Sequence, residues 1–133
     1  MTASTELTRN QSLVLGVLTQ AAGPRSAYDI LDGLRGEGMR APLQIYRALE
    51  KLMEMGLVHR LESLNAFVAC TDPHDHDKHA HGVTAFAICE GCGAVTEFHD
   101  EIIEERLSAW QRTEQFRPKK TTIEIRGHCQ TCC

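Results

Sequence analysis

Residues 41–70, APLQIYRALEKLMEMGLVHRLESLNAFVAC, read as one helix running straight into a hairpin. Pro42 suits the first helical turn, where its missing N–H would have no partner anyway. Ile45, Leu49, Leu52 and Met53 then recur with helical spacing on one face, and Gly56 stops the run. Beyond it, 57–61 (LVHRL) and 66–70 (AFVAC) are strand-like runs around a Ser63-Leu64-Asn65 turn. The periodicity has changed from helical to alternating within a few residues.

Upstream, Thr8 can cap a helix carrying Leu13, Val14, Val17, Leu18 and Ala21 at helical spacing, ending at Gly23-Pro24. Ser26 with Asp29 three residues on resembles a capping box. It opens a second helix with Ile30, Leu31 and Leu34 inward, before Gly36-Glu37-Gly38. Three helices and a hairpin make a winged helix-turn-helix, whose third helix enters the DNA major groove. On that helix Gln44, Arg47, Lys51 and Glu54 lie opposite the apolar stripe. Arg47 is the best base reader, because a guanidinium can bond two acceptors of guanine. Charge pattern alone describes a solvated helix face as well.

Downstream, 83–88 and 94–98 are expected as strands flanking Cys89-Glu-Gly-Cys92-Gly93, a zinc knuckle. Asp100 can cap a helix reaching about Gln115, with Ile102, Ile103, Leu107 and Trp110 on one face, and 119–126 alternates as a last strand. The fold class is therefore α+β: a winged helix over 1–70, a His-rich hinge loop over 71–82, and a small zinc-binding domain over 83–133. One helix on three strands leaves apolar surface to cover, so a homodimer is expected.

Composition fits this division. The 133 residues carry a formal charge of -4, with 42% apolar and 24% charged residues, which suits one or two small domains and excludes a large multidomain enzyme. No apolar stretch is long enough for a membrane span. Up to Asn65 there are seven basic and seven acidic residues, and after it seven and eleven, so the acidity lies in the C-terminal half. Six Cys and seven His are the unusual counts. The N-terminus has no secretory signal pattern, so a cytoplasmic location is expected, where paired cysteines point to metal rather than disulfides.

Cys89-x-x-Cys92 and Cys129-x-x-Cys132 are the strongest chemical signal. Each pair puts two thiolates on one turn, and two pairs complete a tetrahedral structural zinc site with no position open for substrate. A redox dithiol or disulfides are the competing readings. A second donor set comprises His59, Cys70, the 72–81 loop (DPHDHDKHAH), Glu97, His99 and Glu104, a mixed group that suits zinc. Composition leaves that second site open: His59 reads equally as a strand residue, Cys70 as a small buried hydrophobe and the loop as a solvated linker.

Ser26-Ala27-Tyr28-Asp29-Ile30-Leu31, Ile45-Tyr46-Arg47-Ala48-Leu49, residues 56–63 (GLVHRLES) and 88–95 (ICEGCGAV) together resemble the ferric uptake regulator (Fur) superfamily, and within it the zinc uptake regulator branch. The resemblance runs over roughly 7–132 with the motifs in the family's order. It implies a homodimeric repressor with an N-terminal winged helix and a C-terminal dimerisation domain. By position it assigns Cys89, Cys92, Cys129 and Cys132 to structural zinc. It assigns His59, Cys70, His81 and Glu97 to a regulatory zinc at the domain hinge, with His79 as the alternative third ligand, hence about two Zn2+ per monomer. It further implies base contacts from Tyr28 and Arg47, with Tyr46 adjacent; Gln44 joins the expected DNA-binding residues by its place on the same helix face.

Departures from the family pattern are informative. Cys70 puts a soft thiolate where iron sensors commonly use a carboxylate, which favours zinc. Some relatives have another site using a Glu and a His; Glu104 fits the first, but Thr121 stands at the His position, so that site is expected to be absent or incomplete. Gln11 replaces the family's usual Arg, which puts one phosphate contact in question. The expected function is a zinc-responsive repressor of zinc uptake and homeostasis genes acting on double-stranded operator DNA, without membrane or small-molecule substrate. The alternative is a regulator of the same superfamily sensing ferrous iron or peroxide. A zinc hydrolase or deaminase is disfavoured, because no HExxH motif occurs and the strongest site is closed.

Overall fold

The computed structural model describes residues 6–70 and 83–132, which fall in two units, Met1–Pro73 and His74–Cys133. In the first, α1 (Arg9–Gln20) starts at Thr8, whose hydroxyl accepts from the Gln11 N–H at 3.2 Å while Gln11 Oε1 accepts from the Thr8 N–H at 3.0 Å. Ser26 and Asp29 make the same reciprocal pair at the start of α2 (Ala27–Leu34). A short 3-10 turn, Arg35–Glu37, leads to α3 (Pro42–Glu54). The residue before Pro42 is Ala41, which has no capping oxygen. The Gln44 N–H donates instead to the Ala41 backbone carbonyl at 3.0 Å, and Gln44 Oε1 holds the entering chain, accepting from the N–H groups of Arg40 at 3.0 Å and Ala41 at 3.1 Å.

Val14, Ile30, Ile45, Leu49 and Leu52 form the centre of this unit, each no more than 1% exposed. Full burial of one such side chain contributes about 2 kcal/mol and a cap about 1 kcal/mol. Packing therefore fixes where the helices lie, and the caps fix where they begin. Met39 joins the core although it sits in the loop between helical patterns, where no periodicity marks it.

Gly56 takes φ +76°, the left-handed conformation that ends α3. The wing follows as β1 (Val58–Leu61) and β2 (Ala66–Ala69), antiparallel with Val58 opposite Ala69 and Leu61 opposite Ala66. Leu57, expected in the first strand, instead donates its N–H to Leu52 O and finishes the helix. α1 stops at Gln20, short of Gly23-Pro24, because the following residues lead to Arg25, which exchanges two backbone hydrogen bonds with Phe67 on the free edge of β2. A single bridging residue has no period and left no sequence signal.

In the second unit β3 (Val83–Cys89) is the central strand, with β4 (Val95–Phe98) antiparallel on one side and β5 (Thr121–Gly127) parallel on the other. A parallel neighbour needs a long crossover, supplied by α4 (Glu101–Thr113). Asp100 caps α4, its Oδ1 accepting from the N–H groups of Ile102 at 2.9 Å and Ile103 at 3.1 Å. The apolar face of α4 is left open within the chain, as one helix on three strands leads one to expect. Ile102 is 74% and Trp110 56% exposed, and no residue of the helix is buried. Among the described residues no helix is long and apolar enough to cross a membrane.

Candidate metal centres and nucleic-acid face

The parallel register sets Cys89 beside Gly127, and Glu90 donates its N–H to Gly127 O at 2.7 Å, so the chain after β5 must pass the Cys89–Cys92 turn. Both Cys-x-x-Cys segments are closed turns, held by Gly93 N–H to Cys89 O and Cys132 N–H to Cys129 O, each 2.9 Å. The four sulfurs lie within 4.8 Å of one another. Cys92 Sγ and Cys129 Sγ are 3.8 Å apart, and no disulfide joins them. A tetrahedron with Zn–S bonds of about 2.3 Å has an edge of about 3.8 Å, so the cluster fits zinc in both donor type and size.

The electrostatics of the cluster agree. The N–H groups of Cys129, Cys92 and Gly91 all point at Cys89 Sγ, at 3.3 to 3.4 Å, and lower its thiol from 9.0 to about 5. The Thr131 hydroxyl, 3.1 Å from Cys129 Sγ, lowers Cys129. Cys132 is pushed up to about 12 by its hydrogen bonds to Cys129, Cys89 and Cys92, since the last thiol of a crowded group keeps its proton. Four thiolates here lack positive charge, which a divalent cation supplies. Spacing alone had indicated the four cysteines but neither Thr131 nor the three amides; their signal lies in the turn geometry of the Cys-x-x-Cys segments. Gly91 passes so close to Cys132 that a Cβ there would meet Cys132 Cβ at 3.0 Å and Sγ at 3.1 Å.

His59 and Cys70 form a second donor pair within the first unit. His59 lies on β1 opposite Val68, and Cys70, just past β2, donates its N–H to Leu57 O at 2.8 Å. Both are buried, with their ligand atoms within 4.8 Å. In the second unit Glu97 lies on β4 opposite Phe86, its side chain 2% exposed, with Oε2 3.3 Å from His99 Nε2. The other ring nitrogen of His99 is 3.3 Å from Val83 O, the kind of outer hydrogen bond that orients ligating imidazoles. His79 and His81, with His74 and His76, lie outside the described residues, as does Cys133. Glu104 sits in the first turn of α4 and Thr121 opens β5.

On α3, Arg47 is exposed and Tyr46 is 43% exposed; Tyr28, on α2, is 61% exposed. Gln44 is half-buried, with Oε1 accepting from the N–H groups of Arg40 and Ala41, so its side-chain amide N–H groups remain to contact a ligand. Lys51 pairs with Glu54 at 3.6 Å on the exposed surface.

Known proteins with this arrangement are regulators. A sequence model of the ferric uptake regulator family matches residues 2–126. The zinc uptake regulation protein of Escherichia coli (strain K12) is 38% identical over 127 residues, 95% of this chain and 72% of the relative. A solved zinc uptake regulator complexed with zinc and DNA superposes with a TM-score of 0.85 at 36% identity, covering 97% of this chain and 84% of that one. The crystal structure of holo XcZur gives 0.83 at 37%, covering 95% and 85%. The chain belongs to the ferric uptake regulator family.

Proposed function

We propose that this chain is a cytoplasmic zinc-responsive repressor that binds double-stranded operator DNA as a zinc-loaded homodimer and controls zinc uptake and homeostasis genes. The observation that carries this reading is the pair of donor sets, one closed and four-sulfur, the other centred on His59 and Cys70 at the wing. Likeness to zinc uptake regulators over nearly the whole chain supports it.

Cys89, Cys92, Cys129 and Cys132 hold structural zinc in this reading, tying the tail after β5 to the end of β3. His59 and Cys70 offer a nitrogen and a sulfur from the winged helix. Glu97 offers a carboxylate from β4, and His81, with His79 as alternative, offers an imidazole from the intervening loop. When bound, zinc would neutralise these donors and link the segments that carry them. The domain boundaries that follow are 1–70 for DNA binding, 71–82 for the hinge and 83–133 for dimerisation. His59 and Cys70 thereby fix α3 for the groove. Favouring the DNA-competent arrangement by about 3 kcal/mol changes its population roughly a hundredfold. The thiolate of Cys70 disfavours the alternative sensing of ferrous iron or peroxide, since harder donors suit iron.

Metal content measured before and after mild chelation, with operator binding followed in parallel, tests the reading. About two zinc ions per monomer are expected, one easily removed and needed for DNA binding. One inert zinc with metal-independent DNA binding would sink it. For the DNA face, Arg47→Ala is expected to relax a guanine preference at a cost of about 1–3 kcal/mol, measured by competition between operator variants. Equal loss on every sequence would make Arg47 a phosphate contact instead.

A further inference from the structure

A single exposed leucine is ordinary on a protein surface, and its place decides whether it means anything. Leu43 is the second residue of α3 and is 56% exposed. Tyr46 follows three residues on and Arg47 four, both exposed, so the three side chains are neighbours on the helix surface. Ile45, Ala48, Leu49 and Leu52 turn the other way, into the core. The first turn of α3 therefore holds out an apolar side chain beside the arginine of the DNA face.

That face is divided along its length. Beyond Arg47 it carries Glu50 and Glu54, both exposed, which suit a groove walled by phosphate poorly. Residues 42–49 include no acid, so the N-terminal end of the helix is the one fit to enter. Recognition helices meet base edges through their N-terminal residues, and helical side chains lean toward the N-terminus, which carries Leu43 to the tip. Its neighbour Gln44 has Oε1 turned back onto the N–H groups of Arg40 and Ala41.

What an apolar tip can recognise in the major groove is limited. The base pairs differ there in their donors and acceptors, and thymine alone adds a methyl group. Leucine set over a donor or acceptor displaces its water and returns no hydrogen bond, which costs binding. Set over the methyl group it removes apolar surface of both partners from water, worth about fourfold in affinity for each methyl buried. Four helical residues span about 6 Å and successive base pairs lie about 3.4 Å apart, so that methyl falls within about two base pairs of the base that Arg47 faces.

We propose that Leu43 is a specificity-determining residue of the DNA face, packing on the 5-methyl group of a thymine within about two base pairs of the base that Arg47 faces. This rests on the DNA-binding reading above, and adds to it a base chosen by apolar contact.

The test uses the zinc-loaded full-length chain and a duplex that it selects from random sequence. Each thymine of the duplex is replaced, one at a time, by deoxyuridine, which removes the methyl group and keeps every hydrogen bond. The wild type is expected to lose about fourfold in affinity at one such thymine in each half-site, and Leu43→Ala to bind the thymine and deoxyuridine duplexes alike. The position is expected within about two base pairs of the guanine whose preference Arg47→Ala relaxes. The deoxyuridine loss is read on wild-type protein, so a misfolded variant could not imitate it. Wild-type affinity indifferent to every methyl group would overturn the proposal, as would a Leu43→Ala protein that still loses affinity at the same deoxyuridine. Either result leaves the regulator reading standing, because zinc-dependent selection of a duplex has already succeeded. Failure to select any duplex with zinc present would overturn that reading and this inference together.

Discussion

Cys70→Ala is expected to abolish zinc-dependent DNA binding while leaving the tetrathiolate zinc and the fold in place. Cys70 is 9% exposed and ends the wing, where its N–H bonds Leu57 O through the backbone, a contact that alanine retains. The loss to packing is one small sulfur, about 1 kcal/mol. The loss to the metal is its only soft donor among His59, Cys70, Glu97 and the loop histidine, and the coupling of about 3 kcal/mol is forfeited with it. Operator affinity measured across a zinc titration should fall about a hundredfold at zinc levels that saturate the wild type. Zinc per monomer should drop by one equivalent. Tight operator binding by Cys70→Ala, switched on by zinc as before, would remove Cys70 from the sensing site. Proton competition points the same way: zinc sensitivity should weaken as pH falls through the range where imidazole protonates, near 6.5.

Much of this was legible in residue order because the signals are local. Caps at Thr8, Ser26 and Asp100, the stop at Gly56 and the two Cys-x-x-Cys turns act over three or four residues, and each is found in the structure. What escaped is non-local. The Arg25–Phe67 bridge joins residues about forty apart with no repeating pattern, and it shortens α1. Gln44, expected on the DNA face because it lies opposite the apolar stripe, also turns its carbonyl back onto the N–H groups of Arg40 and Ala41, a contact that the stripe does not mark. The stripe of α4 shows the limit of periodicity. Helical spacing identifies an apolar face but not what covers it, and within one chain that face is open.

Removing the four-sulfur zinc should unfold the second unit rather than loosen it. β5 is an edge strand bonded to β3 alone, and the tail beyond Gly127 is tied back through Cys129 and Cys132. Apparent binding free energies of structural zinc, about 10–16 kcal/mol, match or exceed the whole stability of a small domain, about 5–15 kcal/mol. Cys129→Ser, or strong chelation of the wild type, is therefore expected to erase amide-exchange protection in β3 and β5. The helices of the first unit should keep theirs, because their core contains no cysteine ligand of this site. Acid should act by the same route. Cys89 has a folded value of about 5 against an ordinary 9.0, so its thiolate favours the folded unit fully above 9 and loses that effect as pH falls through about 5. Zinc release followed with a chromophoric chelator should rise as pH falls, because protons compete with zinc for the thiolates, together with the loss of β3 protection. Persistent protection of β3 and β5 in Cys129→Ser would show that the sheet stands without its metal, and would reduce the four cysteines to a zinc store.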